Sequence, residues 1–118
     1  MKKSLLTLLA VVAITATASA QWSIAGDKIR TTWAEEVTPE NVLAEYPRPQ
    51  LERSEWMNLN GLWNYAVTGL TTEEPATFDG QILVPFAIES ALSGVQKSLT
   101  KEQLLWYERT VTLPSSWN

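Results

Sequence analysis

Three short strand-like segments constrain the fold most. The first and third have alternating faces, a period of two that is typical of a β-strand with one buried face, and the second is a short apolar run. These segments are residues 59–67, 81–85 and 106–113, and the last has the clearest pattern. Pro85 and Pro114 lie at the ends of the second and third segments, since proline cannot continue a central strand. The sequence has no long helical periodicity and no internal repeat, so it predicts a β-rich fold.

The first predicted strand indicates which side of the sheet is buried. Alternate residues place Leu59, Trp63, Tyr65 and Val67 on one face. Asn60 and Asn64 fall on the opposite side, so we expect one buried face and one wet face. Gly61 interrupts the pattern and predicts a bulge or a close backbone approach.

The first 20 residues have the layout of a secretory signal peptide. Two lysines precede an apolar run at residues 5–14, and the small residues Ala18, Ser19 and Ala20 follow it. This pattern predicts a signal helix with cleavage between Ala20 and Gln21. The run is shorter than the roughly 20 apolar residues that span a bilayer, so we expect no membrane anchor after cleavage. A buried N-terminal helix is the alternative, but the lysine start and the small-residue end occurring together favour a signal peptide.

The remaining chain is predicted to have two parts. Residues 21–50 form an extended N-terminal arm with a short helix, which begins at Thr38 and Pro39 as cap and first turn. Residues 51–118 form an incomplete β-sandwich domain, since three strands cannot close a sandwich or a jelly roll. We therefore expect further strands beyond Asn118. A single helical turn at residues 100–103 is predicted to precede the third strand.

The composition excludes several kinds of chemistry. The chain has no histidine and no cysteine, so Ser-His-Asp triads, Cys-His pairs and the usual zinc sites cannot form within it. No phosphate-binding glycine loop or metal-ligand spacing occurs, so no cofactor and no metal are predicted. The net charge is −4 and becomes −6 when Lys2 and Lys3 are removed with the signal peptide. Such an acidic chain is not expected to bind nucleic acid.

Two residue types leave a carbohydrate function open. The chain has six tryptophans, and aromatic rings can stack on the apolar faces of sugars. Packing is nevertheless the better interpretation of each tryptophan that lies in or beside a strand, and Trp63 above all is expected in the core. The 13 acidic residues do not exclude a catalytic carboxylate pair. Most of them lie in polar loops, where solvation explains them.

One pair of charged residues is singled out by its surroundings. Arg109 lies on an otherwise apolar strand face, and Glu89 lies between Ile88 and small residues. We predict that Arg109 is partly buried and paired with an acid, of which Glu89 is the best local candidate. This pair is predicted to be structural rather than catalytic.

Five segments together resemble the opening of the enzymes of glycoside hydrolase family 2, which include β-galactosidases, β-glucuronidases and β-mannosidases. They are residues 46–51 (YPRPQL), 56–65 (WMNLNGLWNY), 78–86 (FDGQILVPF), 89–94 (ESALSG) and 106–114 (WYERTVTLP). The Leu-Asn-Gly-x-Trp element at 59–63 and the Trp-Tyr-x-Arg element at 106–109 are each weak alone. Their order and spacing make the combination specific, and the resemblance covers residues 38–118.

The resemblance implies a truncated N-terminal sugar-binding domain, a galactose-binding-domain-like jelly-roll sandwich. An immunoglobulin-like sandwich and a (β/α)8 barrel would follow it in the same polypeptide. The two catalytic glutamates of a retaining mechanism would lie in that barrel, so no catalytic residue is assigned here. No sugar-binding residue is assigned either, although the loop at residues 86–97 is where a contribution to the active site would be sought. The implied location is the periplasm or the outside of a Gram-negative cell.

The sequence therefore leaves three functions open. In the first, the chain is part of an exported glycosidase that hydrolyses O-glycosidic bonds in carbohydrate catabolism, and we expect no activity from the chain alone. Alternatively it is a free-standing, non-catalytic carbohydrate-binding module, or a structural β domain that binds a partner in the cell envelope. The expected partner in the first two cases is an oligosaccharide or polysaccharide.

Overall fold

A three-stranded antiparallel sheet forms the centre of the computed structural model, which describes residues 22–70 and 73–117. The strands are β1 (Gly61–Gly69), β2 (Gly80–Val84) and β3 (Gln103–Glu108), in the order β2-β1-β3. Short 3₁₀ helices at Thr32–Glu36, Pro49–Leu51, Ala91–Ser93 and Ser115–Trp117 complete the regular structure. The described residues thus confirm an all-β class. The predicted signal helix and the cleavage point at Ala20 and Gln21 lie outside the described residues.

The alternating pattern of the first segment determines the register of the sheet. Trp63 pairs with Ile82 in β2, and Tyr65 pairs with Tyr107 in β3. Residues paired across antiparallel strands share a face, so these aromatic and aliphatic side chains lie together. Tyr65, Ile82 and Ile88 form the buried cluster on this face, and half-buried apolar residues pack against it: Trp63, Val67, Val95, Leu99 and Leu105. Trp63 therefore belongs to the edge of the core, as expected.

The opposite face is less wet than the asparagines suggested. Leu83 is 0% exposed and Ala66 is 2% exposed, although both point away from the Tyr65 cluster. Trp106 lies beside Ala66, and its indole Nε1 donates a hydrogen bond to Thr68 Oγ1 at 2.8 Å. The expectation of one buried face and one wet face is therefore wrong for the middle of the sheet.

Gly61 is a position where only glycine fits easily. Its φ is +120°, and a Cβ atom there would lie 3.4 Å from the carbonyl oxygen of Pro39 and 3.5 Å from Arg109 Nη1. Side chains rarely adopt such a φ, so the backbone conformation favours glycine here, whereas both distances are those of ordinary van der Waals contact. The backbone conformation, rather than the predicted close approach, therefore accounts for this glycine.

The segment before the sheet differs from its prediction. Residues 39–43 form turns rather than a helix, and the 3₁₀ helix nearest to them is Thr32–Glu36. The Asn41 side chain accepts a hydrogen bond from Thr38 N and donates one to Glu36 O, both at 2.7 Å, and so ties the turn to the residues before it. Leu43 has a φ of +42°, which is outside the right-handed helical region, so the turn does not continue as a helix.

The third strand begins earlier and ends earlier than predicted. Residues 103–105 belong to β3, where Gln103 pairs with Gly69, and the strand stops at Glu108. The side chain of Gln103 accepts a hydrogen bond from Thr100 N at 2.9 Å, which is half of the predicted capping box. The backbone then enters the sheet instead of a helix. No helix in the described part of the chain is long and apolar enough to cross a membrane.

Candidate functional site

The two sequence elements that carry the family resemblance meet at one end of the sheet. The rings of Trp63 and Tyr107 lie edge to face, with centroids 6.4 Å apart and planes at 85°. This is a preferred geometry for two aromatic rings. Trp63 Nε1 donates a hydrogen bond to the carbonyl oxygen of Leu59 at 2.8 Å, which fixes the indole on its own segment.

Arg109 joins the same two elements through the backbone. Its Nη1 donates hydrogen bonds to Leu59 O at 2.6 Å and to Asn60 O at 2.8 Å. Bonds from a charged donor are stronger than neutral ones, so this contact fastens residues about 50 positions apart.

The predicted pair of Arg109 with Glu89 is not formed. Both residues are exposed, and the salt bridge found in the described part of the chain joins Lys101 and Glu102. Arg109 is instead satisfied by two carbonyl groups, a partner type that the sequence pattern does not reveal. Glu89 lies in the loop after β2, where its own carbonyl oxygen accepts a hydrogen bond from Lys28 Nζ at 3.0 Å.

The loop at residues 86–97 is organised by Ser93, which is 0% exposed. The Ser93 hydroxyl lies within hydrogen-bonding distance of four backbone groups in this loop. It donates toward Ser90 O at 2.8 Å and Ile88 O at 3.1 Å, and it accepts from Val95 N at 3.0 Å and Gln96 N at 3.3 Å. The sequence predicts a loop at residues 86–97 but not this role of Ser93. The only signal is the sequence Ser-x-x-Ser-Gly, which fits a capped turn that ends at a glycine.

The N-terminal arm lies along the same loop and holds it from outside. Ala25 N donates a hydrogen bond to Ala91 O at 2.9 Å. The Trp22 indole packs on Gly94, where an added Cβ would come within 2.6 Å of the ring, and Gly26 faces the side chain of Gln96. Together with the Lys28 bond, these contacts fix the loop at several points along the arm. We name residues 22–28 the clasp.

A cavity of about 360 Å³ opens beside the Trp63–Tyr107 pair. Six residues from three parts of the chain line it: Trp63, Val84, Pro85, Phe86, Ala87 and Tyr107. Phe86 and Ala87 come from the beginning of the clasped loop. Three of these residues are aromatic, and aromatic rings that line an open cavity can bind the apolar surface of a small molecule. We name this space the aromatic cavity.

Tyr107 is the titratable residue whose behaviour the site changes most clearly. Burial raises the pKa of the Tyr107 phenol above the usual tyrosine value, and the negative charge of Glu89 raises that pKa further. Both causes favour the neutral phenol. At neutral pH, Tyr107 therefore presents a hydroxyl group that can donate a hydrogen bond.

A larger cavity of about 550 Å³ lies near the segment that precedes the sheet. Tyr46 and Trp56 contribute to it, and their ring centroids are 5.0 Å apart at 60°. Tyr46 and Trp56 also line a neighbouring cavity of about 530 Å³, together with Arg48, Glu52 and Arg53. Size alone does not identify a ligand site. The aromatic cavity is the better candidate, because it gathers three rings from strand and loop elements that several hydrogen bonds hold in place.

No family model matches this chain, and no curated protein matches it either.

Metal chemistry finds no support in the same part of the chain. Within residues 22–70 and 73–117, no group of three or more acidic, histidine or cysteine side chains could hold a metal ion. The chemistry that the aromatic cavity offers is binding: apolar contact with three rings and a hydrogen bond with one phenol. The described geometry gives us no reason to assign a catalytic residue.

Proposed function

We propose that this chain is the N-terminal sugar-binding part of an exported glycoside hydrolase family 2 enzyme, which hydrolyses O-glycosidic bonds in carbohydrate catabolism. The observation that carries the proposal is the joining of the Leu-Asn-Gly-x-Trp and Trp-Tyr-x-Arg elements. Arg109 bonds to the carbonyls of Leu59 and Asn60, and Tyr107 contacts Trp63. Two weak sequence elements that form one structural unit support the resemblance better than either element alone.

The proposed complete fold is a galactose-binding-domain-like jelly roll, of which β1–β3 are the first strands. Residues 51–118 would contribute to this sandwich, and residues 21–50 would form the arm. Large apolar side chains at the end of the described chain support an incomplete sheet, since Leu113 is 63% exposed and Val111 is 38% exposed. Further strands of the same polypeptide would cover such side chains.

The proposed division of labour follows from the residue types present. Retaining glycosidases use two carboxyl groups about 5–5.5 Å apart, one as nucleophile and one as acid and base. In the family that this chain resembles, both glutamates lie in a (β/α)8 barrel. We therefore propose that hydrolysis takes place in a barrel beyond Asn118, while this part supports the pocket and contacts the sugar. The proposal needs no cofactor, and its location is the periplasm or the cell exterior.

The gene itself offers the direct test of this proposal. We expect the DNA after Asn118 to continue in frame for several hundred codons with a barrel pattern. The longer product should hydrolyse an aryl β-glycoside, and the 118-residue chain should not. A verified stop codon after Asn118, or turnover by the short chain, would contradict the proposal.

Export can be tested separately on the chain in a Gram-negative host. We expect the recovered protein to begin at Gln21, and intact mass measurement with N-terminal sequencing checks this. A protein that keeps Met1 and stays in the cytoplasm would contradict the export part of the proposal.

The aromatic cavity also favours the alternative of a free-standing carbohydrate-binding module. The two functions differ in what the short chain can do alone. A module should be a soluble monomer with a sharp cooperative melt, whereas an incomplete sandwich should be unstable or aggregate. Thermal unfolding with size-exclusion chromatography distinguishes them.

A further inference from the structure

The structure points to a binding site for the ring of an uncharged pyranose sugar in the aromatic cavity, with Phe86, Trp63 and Tyr107 as its walls. This inference rests on the proposed function and deepens it, because it names both the site and the class of sugar. Neither the sequence nor the family resemblance assigned a sugar-binding residue.

The geometry suits one sugar ring. A volume of about 360 Å³ is at the small end of the range for ligand sites, which suits one ring better than a long chain. The C–H groups on one face of a pyranose form an apolar surface that packs on an aromatic ring. Tyr107 is 43% exposed and Trp63 is half-buried in the described chain, and the site requires both to stay within reach of a ligand when further strands cover Val111 and Leu113.

Polar recognition comes from Tyr107, one of the residues that line the cavity. The Tyr107 phenol is neutral at ordinary pH and can donate to a ring hydroxyl or accept from one. Such a group orients a ligand that the aromatic walls bind without direction.

Charge distinguishes between classes of sugar. All six residues that line the cavity are uncharged, so a sugar carboxylate would find no cation among them. The charged group that acts on the Tyr107 phenol is the Glu89 carboxylate, which is negative. A uronic acid would therefore lose water around its charge and be repelled by Glu89. The site should select neutral hexoses over glucuronic acid.

The site is preorganised by contacts that do not touch the ligand. The Ser93 hydroxyl orders residues 88–96, and the clasp fixes the same loop through Ala25, Lys28 and Trp22. Because the loop that carries Phe86 is already ordered, sugar binding need not supply the free energy of ordering it. The cavities around Tyr46 and Trp56 differ in charge, because Arg48, Glu52 and Arg53 line one of them.

The experiment uses the exported chain, or the longer product that contains it. Isothermal titration or ligand-observed NMR measures binding of methyl β-galactoside, methyl β-glucoside, methyl β-mannoside and methyl β-glucuronide. We expect at least one neutral glycoside to bind more tightly than the glucuronide. Phe86→Ala should weaken that binding roughly three- to tenfold, the range that one aromatic contact supplies. Trp56→Phe, in the other aromatic pair, should leave it unchanged.

Two gentler variants keep the test valid if Phe86→Ala fails to fold. Tyr107→Phe keeps the ring and removes the hydroxyl, so it should weaken neutral-sugar binding several-fold without changing the circular dichroism spectrum. Glu89→Gln removes the repulsion, so it should reduce the difference in affinity between the neutral glycosides and the glucuronide. Neutral-sugar binding that none of these variants changes would overturn the cavity assignment and leave the proposed enzyme intact. Preferential glucuronide binding would overturn the inference about charge, whereas a stop codon after Asn118 would overturn only the proposed enzyme.

Discussion

The two aromatic pairs of this protein have similar geometry and different origins. Trp63 and Tyr107 lie 6.4 Å apart and come from strands β1 and β3, which are distant in the chain. Tyr46 and Trp56 lie 5.0 Å apart and are only ten positions apart in sequence. The Tyr46 hydroxyl, which accepts a hydrogen bond from Arg53 N and donates one to Leu51 O, both at 3.2 Å, holds the second pair locally.

The difference shows which contact depends on the fold. Bringing Trp63 to Tyr107 closes a long loop, which costs entropy that only the strand register and the buried core offset. The Tyr46 pair closes a short loop and needs no sheet. We therefore expect the surroundings of the Trp63 pair to change when the fold is disturbed or a ligand binds. The surroundings of the Tyr46 pair should change in neither case.

Truncation of the buried core should produce the largest difference between the regions. Ile82 is 0% exposed and packs in the cluster below Trp63, so Ile82→Ala should lower the free energy of unfolding by about 2–5 kcal/mol. Leu51→Ala is the matched control near Tyr46, because Leu51 is 73% exposed and its loss should cost less than about 0.5 kcal/mol. Urea denaturation measures both, and equal losses would contradict the assignment of the core.

A methyl group added at Gly94 should weaken the contact between the clasp and the loop. Gly94 has a φ of +82°, and an added Cβ would clash with Trp22, so Gly94→Ala should cost about 1–3 kcal/mol and loosen the loop. Trypsin should then cut faster after Lys97 but not after Arg53, which lies near Tyr46. Gly80→Ala is the control, because its Cβ would meet Tyr65 at an ordinary 3.5 Å. Unchanged cutting at Lys97 in Gly94→Ala would show that the clasp does not hold the loop.

Arg109 should matter through carbonyl groups rather than through an acid. Arg109→Met removes the donor to Leu59 and Asn60, and the loss should be about 1 kcal/mol because the side chain is exposed. Glu89→Gln should leave the melting temperature nearly unchanged. If Glu89→Gln destabilised the protein as much as Arg109→Met does, that result would support the ion pair that the sequence predicted and contradict the carbonyl contacts.

The smallest effect is the pH dependence that Tyr107 contributes. Its folded-state pKa is raised above the unfolded value of about 10, so the folded state holds the proton more strongly. The contribution to stability is fully present below about pH 10 and is lost as the pH rises through the folded pKa. Tyr107→Phe should remove this loss, and Glu89→Gln should reduce it. Urea midpoints between pH 8 and pH 11 check the prediction, and a decline that Tyr107→Phe leaves intact would contradict it.

Local sequence patterns predict the strands of this protein well and their ends poorly. Alternation around Trp63 and Trp106 identifies β1 and β3, because burial of one face imposes a period of two, and the short apolar run around Ile82 identifies β2. The start of β3 depends on the pairing of Gln103 with Gly69, a contact across 34 positions that no local pattern contains. The helix expected near Pro39 does not form, because the turn there ends at Leu43, whose φ is +42°.

The candidate site is harder to predict than the fold. The aromatic residues and the loop at residues 86–97 are visible in the sequence, but the grouping of Trp63, Phe86 and Tyr107 depends on strand register. Arg109 stands out by pattern, yet its partners are backbone carbonyls, which every residue has. The clasp cannot be predicted for the same reason, because its two hydrogen bonds to the loop are both accepted by backbone carbonyls, those of Ala91 and Glu89.

The most direct test of the account compares the indole signals of Trp63 and Trp56 in one titration. A ¹H–¹⁵N spectrum of the exported chain, or of the longer product, would be recorded with increasing methyl β-galactoside, β-glucoside or β-mannoside. We predict that the Nε1–H signal of Trp63 shifts and saturates with at least one of these sugars, while that of Trp56 stays in place. Assignment by Trp63→Phe and Trp56→Phe identifies the signals. A saturating shift at Trp56 with none at Trp63 would contradict the account.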